Sequence, residues 1–421
     1  MTPGMSPGPA TLLPNVASLL LANGQTTEGT RISVERLARA MGRPVRFTAR
    51  WGECALQTED RTVFGEVAPT GVDIGRVVAG ETVVDALCTG RIAAEEGLVR
   101  LQAIARSKPV GLARFVTMAA AGAAALGVIF GAPHWLTVGV IAASAACGAL
   151  LRRAVSHASD NPFLQPFAAS LLAGLIGGLV ARSGLQVTDR LVIVCPCMVL
   201  VPGPHLLNGG IDLVRARIPI GAGRIGFALL IVLAICGGLL TGLGLTGTAF
   251  PQAGAVAGVP LGRDVVAAGV AVAAYGTFFN MPWRLIATPV LLGMAAHALR
   301  WELLRHGASL ELGAFGATLL AGAAMAPLAH RFRLPFGASA FAAVVALIPG
   351  VFMFDAASAT LAAVNRGAKA DPAALLPIVG NSATAIVVML AMAAGLILPK
   401  MVFDALYASP WAAGTGAECR H

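Results

Sequence analysis

The spacing of apolar residues changes once along the chain, near Lys108-Pro109. Upstream of it, apolar and charged residues interleave. Val16, Leu19 and Leu20 predict a helix stopped by Asn23-Gly24. Ile32, Val34, Leu37, Ala38 and Met41 then form an apolar stripe, with Arg31, Glu35, Arg36 and Arg39 off it; Gly42-Arg43-Pro44 closes that second helix. Residues 45–51 alternate with period two, as a half-buried strand does. Residues 54–58 and 62–67 supply partner strands that turn at Glu59-Asp60-Arg61. Two further helices are expected over 73–87 and 92–104. Residues 11–108 thus read as a small α+β domain, long enough for a core of its own, behind a disordered stretch over 1–10.

Downstream, long apolar runs alternate with short polar breaks. The runs predict membrane spans over 115–130, 136–151, 167–181, 191–214, 225–245, 265–280, 285–299, 315–329, 336–361 and 375–398. The shorter ones need their flanks to reach the roughly 20 residues that cross a bilayer. The expected fold is therefore an α-helical polytopic membrane protein of about ten helices. It would have one five-helix set over 109–250, a second over 251–400 and a C-terminal tail over 401–421.

Composition agrees. Of the 421 residues, 57% are hydrophobic and 12% charged, against about 25% charged in soluble domains. The net charge of +9 comes without an aromatic and basic platform, so no nucleic-acid partner is expected. Arg and Lys favour alternate loops instead, with Arg152, Arg153, Arg215, Arg217 and Arg224 on one side and fewer on the other. This bias predicts cytoplasmic N- and C-termini in a bacterial inner membrane. The start of the chain has no basic region leading into an apolar core, so no signal peptide is expected. The cysteines are scattered. Cys195-Pro196-Cys197 lacks a second ligand pair, so no metal is expected. No glycine-rich phosphate loop follows a strand, and no cofactor is implied. The abundant Gly and Ala suit close helix packing and leave a homodimer open.

The sequence repeats itself. Phe167-Ala168-Ala169-Ser170-Leu171-Leu172-Ala173-Gly174 returns as Phe315-Gly316-Ala317-Thr318-Leu319-Leu320-Ala321-Gly322, and Leu200-Val201-Pro202-Gly203 returns as Leu347-Ile348-Pro349-Gly350. Both matches keep nearly one offset. Five spans per copy would turn the second copy over in the membrane, giving an inverted repeat of the kind many secondary transporters use.

These features together resemble the threonine/serine exporter family over nearly the whole chain. The resemblance is carried by Leu19-Leu20-Leu21-Ala22-Asn23-Gly24-Gln25-Thr26-Thr27, by Val34-Glu35-Arg36-Leu37-Ala38-Arg39-Ala40-Met41-Gly42, and by the two Pro-Gly segments. It implies a cytoplasmic domain ahead of ten helices and proton-driven efflux of a small polar amino acid. Relatives split over two subunits imply small dicarboxylates as the alternative substrate. The Gln25-Thr26-Thr27 turn departs from the family pattern, where small or acidic residues are common.

Chemistry is expected at the Pro-Gly breaks. Proline removes a backbone hydrogen bond, and a broken membrane helix is tolerated where it lines a cavity. The half-helices that restart there present positive ends to an anionic group. Pro202, Gly203, Pro349 and Gly350 are therefore substrate-binding candidates, joined by Asn208, which the repeat aligns with Asp355. Asn280, Asn381 and Ser382 add amides and a hydroxyl for a zwitterion. Asp355 and then His205 are the expected proton carriers. Asp212, close to Arg215 and Arg217, is expected at a wet helix end. His297 with Arg300 and Glu302 reads as an interfacial cluster. No nucleophile and base pair stands out in residues 11–108, which weighs against a hydrolase; a ligand sensor is the other reading for that region.

Overall fold

The computed structural model describes residues 9–59, 61–251, 258–332, 334, 336–367 and 372–413. Residues 1–8, Asp60 of the expected strand turn and residues 414–421 of the expected tail lie outside this set.

The chain begins with α1 (Pro9–Ala22) and α2 (Thr27–Ala40), then β1 (Arg46–Arg50), β2 (Gly52–Gln57) and β3 (Thr62–Val67), then α3 (Ile74–Cys88) and α4 (Ala94–Ala105). Helix α1 already starts at Pro9, inside the stretch expected to be disordered. It stops where Gly24 takes φ +94°, a left-handed conformation that glycine adopts without strain. Thr26 caps α2 by accepting from Gly29 N at 3.0 Å, and Asp73 caps α3 by accepting from Arg76 N at 2.9 Å. The strands form one antiparallel sheet in the order β1-β2-β3, with Phe47 opposite Leu56 and Leu56 opposite Val63. Leu20, Val34, Leu37, Phe47, Leu56 and Val77 close a shared core. The α2 stripe differs from expectation at one end. Ile32 is exposed, while Thr27, Thr30 and Ser33 are buried, because the buried face of α2 meets polar groups of α3 and of the helical bundle.

The bundle follows as α5 (Leu112–Ile129), α6 (Trp135–Ala158), α7 (Leu164–Arg182), α8 (Asp189–Met198), α9 (Gly203–Val214) and α10 (Ile218–Leu245). It continues with α11 (Leu261–Phe278), α12 (Trp283–Arg305), α13 (Leu310–Phe332), α14 (Phe336–Val344), α15 (Gly350–Arg366) and α16 (Leu375–Ala413). Six of these are long and apolar enough to cross a membrane: α5, α6, α7, α10, α13 and α16. The pairs α8/α9 and α14/α15 bring the number to eight if each bent pair is one span. Helices α11 and α12 occupy two more expected spans but carry Arg263, Asp264, Arg284, His297, Arg300, Glu302 and Arg305. Most helices outrun their predicted apolar runs by about a turn, because the polar residues flanking each run are helical as well. The expected tail is helical as far as it is described. Residues 401–413 continue α16, and Asp404 holds both Arg215, at 2.7 Å, and Lys400.

The two halves share their packing. Helix α7 lies on α10 as α13 lies on α16. Gly238 meets the Phe167 carbonyl and the Ser170 hydroxyl so closely that no Cβ would fit there. Gly395 meets the Phe315 carbonyl and the Thr318 hydroxyl in the same way. Phe167 and Ser170 are the sequence equivalents of Phe315 and Thr318. Small residues at both crossings let backbones touch, which is how helices gain contact in lipid.

The N-terminal elements sit as a layer on one end of the bundle. Ile74 N donates to the Phe279 carbonyl at 2.8 Å, and Trp51 packs on Gly223 and Phe227 of α10. Asn280, held at φ +51°, donates to Asp73 at 2.7 Å and accepts from Val110 N at 3.0 Å.

Candidate functional site

Both expected helix breaks are present and share one geometry. Pro202 has φ −83° and ψ 58°, and Gly203 N donates to the Val201 carbonyl at 2.9 Å. Pro349 has φ −77° and ψ 47°, and Gly350 N donates to the Ile348 carbonyl at 2.8 Å. Each is an inverse γ-turn, which proline's fixed φ favours. The chain bends by 58° at the first and 68° at the second. Pro202 cannot donate to the Met198 carbonyl one turn back. Val201 N reaches that carbonyl at 3.3 Å, and Tyr275 of α11 donates its hydroxyl to it at 2.7 Å. This is how a break survives away from water.

The breaks also interlock. Gly203 lies directly against the Phe341 ring of α14. A Cβ on Gly350 would fall 2.9 Å from Met198 Cε of α8. Each restarting half-helix therefore packs on the half-helix that precedes the other break.

From this crossing the two ends of the bundle differ. Toward the N-terminal layer the path is closed. Asn208 of α9 donates to the Gly24 carbonyl at 3.1 Å, and Thr27 donates its hydroxyl to Asp212 at 2.9 Å. Arg224 of α10 donates to Asp212 at 2.9 Å and to the Gln25 carbonyl at 3.3 Å. Asp212 and Arg224 are both fully enclosed, which corrects the expectation of a wet helix end for Asp212. The layer covers it. His205 lies beneath the same cover with its ring edge-on to Phe227, centroids 5.1 Å apart. At the rim, Glu28 of α2 meets Arg31 at 2.6 Å, Arg215 at 3.3 Å and Arg217. Burial alone would raise the Glu28 carboxyl, but hydrogen bonds and charge from Arg31 and Arg217 outweigh it and hold it at about 2.

Toward the opposite end the bundle opens into a cavity of about 820 Å³. Its wall includes Pro349, Val351 and Phe352 from the second break, so the restarting turn of α15 faces open space. Asp264, Arg300 and Trp301 line it as well, together with Arg190 at the start of α8. Arg190 donates to Asp355 at 2.5 Å, and each side chain is 12% exposed.

The candidate residues therefore divide. Pro202, Gly203, His205 and Asn208 lie at the crossing or on the closed side. Pro349 lines the cavity, Gly350 lies at the crossing and Asp355 is tied to a lining arginine. Asn280 is engaged at the seam with the N-terminal layer. Asn381 and Ser382 are half-buried on α16 and do not line the cavity. Sequence reasoning missed Tyr275, Arg190, Arg224 and the Gln25–Thr27 turn as parts of this region. It also missed that His297 Nδ1 meets Asp264 at 3.1 Å, across 33 residues of sequence. Helical spacing held part of that last signal: Arg300 is one turn from His297 on one face, and Glu302 is not.

Comparison with known proteins fits this arrangement. Residues 12–246 match the family model described as "Putative threonine/serine exporter", and residues 264–402 match a second, described as "Threonine/Serine exporter, ThrE". No curated protein and no solved structure matches the chain. The first match alone spans more than half of the 421 residues and takes in the N-terminal layer with the first break, while the second takes in most of the cavity wall and the second break. The chain belongs to the threonine/serine exporter family.

Proposed function

We propose that the protein is a secondary active exporter of threonine, serine or a similar small polar amino acid, driven by the proton gradient across a bacterial inner membrane. The observation that carries this reading is the pair of interlocked Pro-Gly breaks, one under a seal and the other facing a cavity. A transporter that alternates access needs such a centre, open to one side at a time. In this reading the halves 109–250 and 251–400 are inverted repeats of five spans each. The N-terminal layer is a cytoplasmic domain, and the cavity faces outward.

The ion pair of Arg190 with Asp355 suggests how coupling works. A proton arriving from the cavity neutralises Asp355 and breaks its pair with Arg190, and it is carried to the inner side as the empty carrier returns. There the proton leaves and the pair reforms before substrate binds, so proton and substrate cross in opposite directions. His205, under the seal, is the second carrier on the inner path.

The test is efflux of labelled threonine and serine from proteoliposomes, with and without an imposed proton gradient. The expected result is gradient-driven efflux that Asp355→Asn abolishes while exchange of internal for external substrate continues. Efflux that keeps its gradient dependence in the variant removes Asp355 from the coupling step. Efflux of neither amino acid overturns the substrate assignment and leaves the small dicarboxylates.

A further inference from the structure

Asp264 and Arg300 are on the cavity wall, and neither takes part in the step just described. Asp264, in the first turn of α11, is 5% exposed. His297 of α12 is the one hydrogen-bond or salt-bridge partner of its carboxylate among the described residues, with Nδ1 3.1 Å from Oδ2. A carboxylate only accepts, so Nδ1 carries the proton of that bond. The His297 side chain is fully enclosed, and its Nε2 has no hydrogen-bond partner. Buried behind Asp264, the imidazole holds that carboxylate in place.

Arg300 lies one helical turn beyond His297 on the same face of α12. Its Nε is buried without an acceptor, and it forms no salt bridge among the described residues. The other lining arginines are committed: Arg190 to Asp355, and the largely exposed Arg305 to Glu302 at 3.9 Å. One wall thus offers a carboxylate held by His297 and a guanidinium without a salt bridge among the described residues, close enough to feel each other's charge. Ile129 and Phe130 supply apolar surface to the same cavity.

We propose that Asp264 and Arg300 form a two-point site for an α-amino-acid zwitterion, Asp264 taking the ammonium and Arg300 the carboxylate, with His297 as a positioning residue behind Asp264. The inference deepens the exporter reading and rests on it. A dicarboxylate would leave Asp264 facing a like charge, so the site selects amino acids.

The test separates the two charges of the substrate. Thermal stabilisation of the purified full-length protein is measured with threonine, with 3-hydroxybutyrate, which lacks the ammonium, and with 1-amino-2-propanol, which lacks the carboxylate. Asp264→Asn is expected to weaken threonine at least tenfold and to lose 1-amino-2-propanol while keeping 3-hydroxybutyrate. Arg300→Gln is expected to show the mirror pattern. The analogue that each variant retains is its own folding control, and Asp264→Glu and Arg300→Lys should recover part of the lost binding. Variants that lose both analogues together, or neither, overturn the two-point site while wild-type binding of threonine keeps the exporter reading. A wild type stabilised by neither threonine nor serine overturns both.

Discussion

Replacing Arg224 by Met should be among the most damaging single changes in the bundle, for a reason readable at one contact. Arg224 and Asp212 are enclosed together at 2.9 Å, with 2% and 0% of their side chains exposed. The methionine fills much of the same volume, so the loss is electrostatic rather than a cavity. It leaves a carboxylate with Thr27 as its remaining hydrogen-bond donor, 3.8 Å from Arg217 Nη1, and it strips the Gln25 carbonyl of its donor. Breaking a buried pair from one side costs about 3–5 kcal/mol, because the surviving charge loses its nearest cation without gaining water. At about 1.4 kcal/mol per tenfold, that is roughly two to three and a half decades in the unfolding equilibrium. Removing both charges behaves differently, since apolar or neutral replacements of a buried pair are often neutral or stabilising. Arg224→Met is therefore expected to lose several kcal/mol on SDS titration in mixed micelles, and Asp212→Asn with Arg224→Met to regain most of it. A single variant within 1 kcal/mol of wild type, or a double variant as weak as the single, would refute the account.

Other expectations follow from single contacts. Tyr275→Phe should cost about 1 kcal/mol in the same titration, because the Met198 carbonyl loses its shorter hydrogen bond and keeps the Val201 N–H at 3.3 Å. Gly203→Ala should be destabilised by about 1–3 kcal/mol and transport poorly, since its methyl has no room beside Phe341; Phe341→Leu should restore part of both, and no recovery would point to a backbone rather than a packing cause. Glu28 gives a pH dependence. Its folded value near 2 lies below the ordinary 4.5, so its contribution is complete above about pH 4.5 and is lost as the pH falls toward 2. The melting difference between wild type and Glu28→Gln should accordingly be larger at pH 6 than at pH 3, and a difference independent of pH would remove Glu28 from the docking energy.

What the sequence disclosed was whatever is local or periodic. The Pro-Gly breaks were legible because proline's missing N–H acts at its own position, and the alternation over 45–51 because a strand with one buried face repeats every second residue. The matched octapeptides at Phe167 and Phe315 were legible because both crossings need small residues at the same offsets. What stayed hidden depends on distant segments meeting. Asp212 sits beside Arg215 and Arg217, which reads as a solvated helix end until the turn at Gln25–Thr27, some 185 residues earlier, covers it. Nothing near either segment signals that contact. The apparent cluster of His297, Arg300 and Glu302 failed for a simpler reason. On a helix the first two share a face, while Glu302 points outward at 46% exposure and pairs with His306 at 2.9 Å.

The Gln25–Thr27 turn reaches from the N-terminal layer into the bundle. Gln25 and Thr27 are not themselves charged, yet they complete the coordination of a buried ion pair at the foot of the first half-helix. Among the described residues the second half-helix has no such cover: its equivalent of Asn208 is Asp355, which meets Arg190 beside the cavity. The packing at Gly238 and Gly395 is nearly symmetric, so the difference between the two ends comes from what lies over each break. In the exporter reading, opening the inner path means giving up the bonds of Asn208, Thr27 and Arg224 to the N-terminal layer, and closing the outer one means filling the cavity over Pro349. The layer then acts as ballast on one of two near-equal arrangements, and substitutions in the turn should shift the balance between them more than they change the affinity of the cavity.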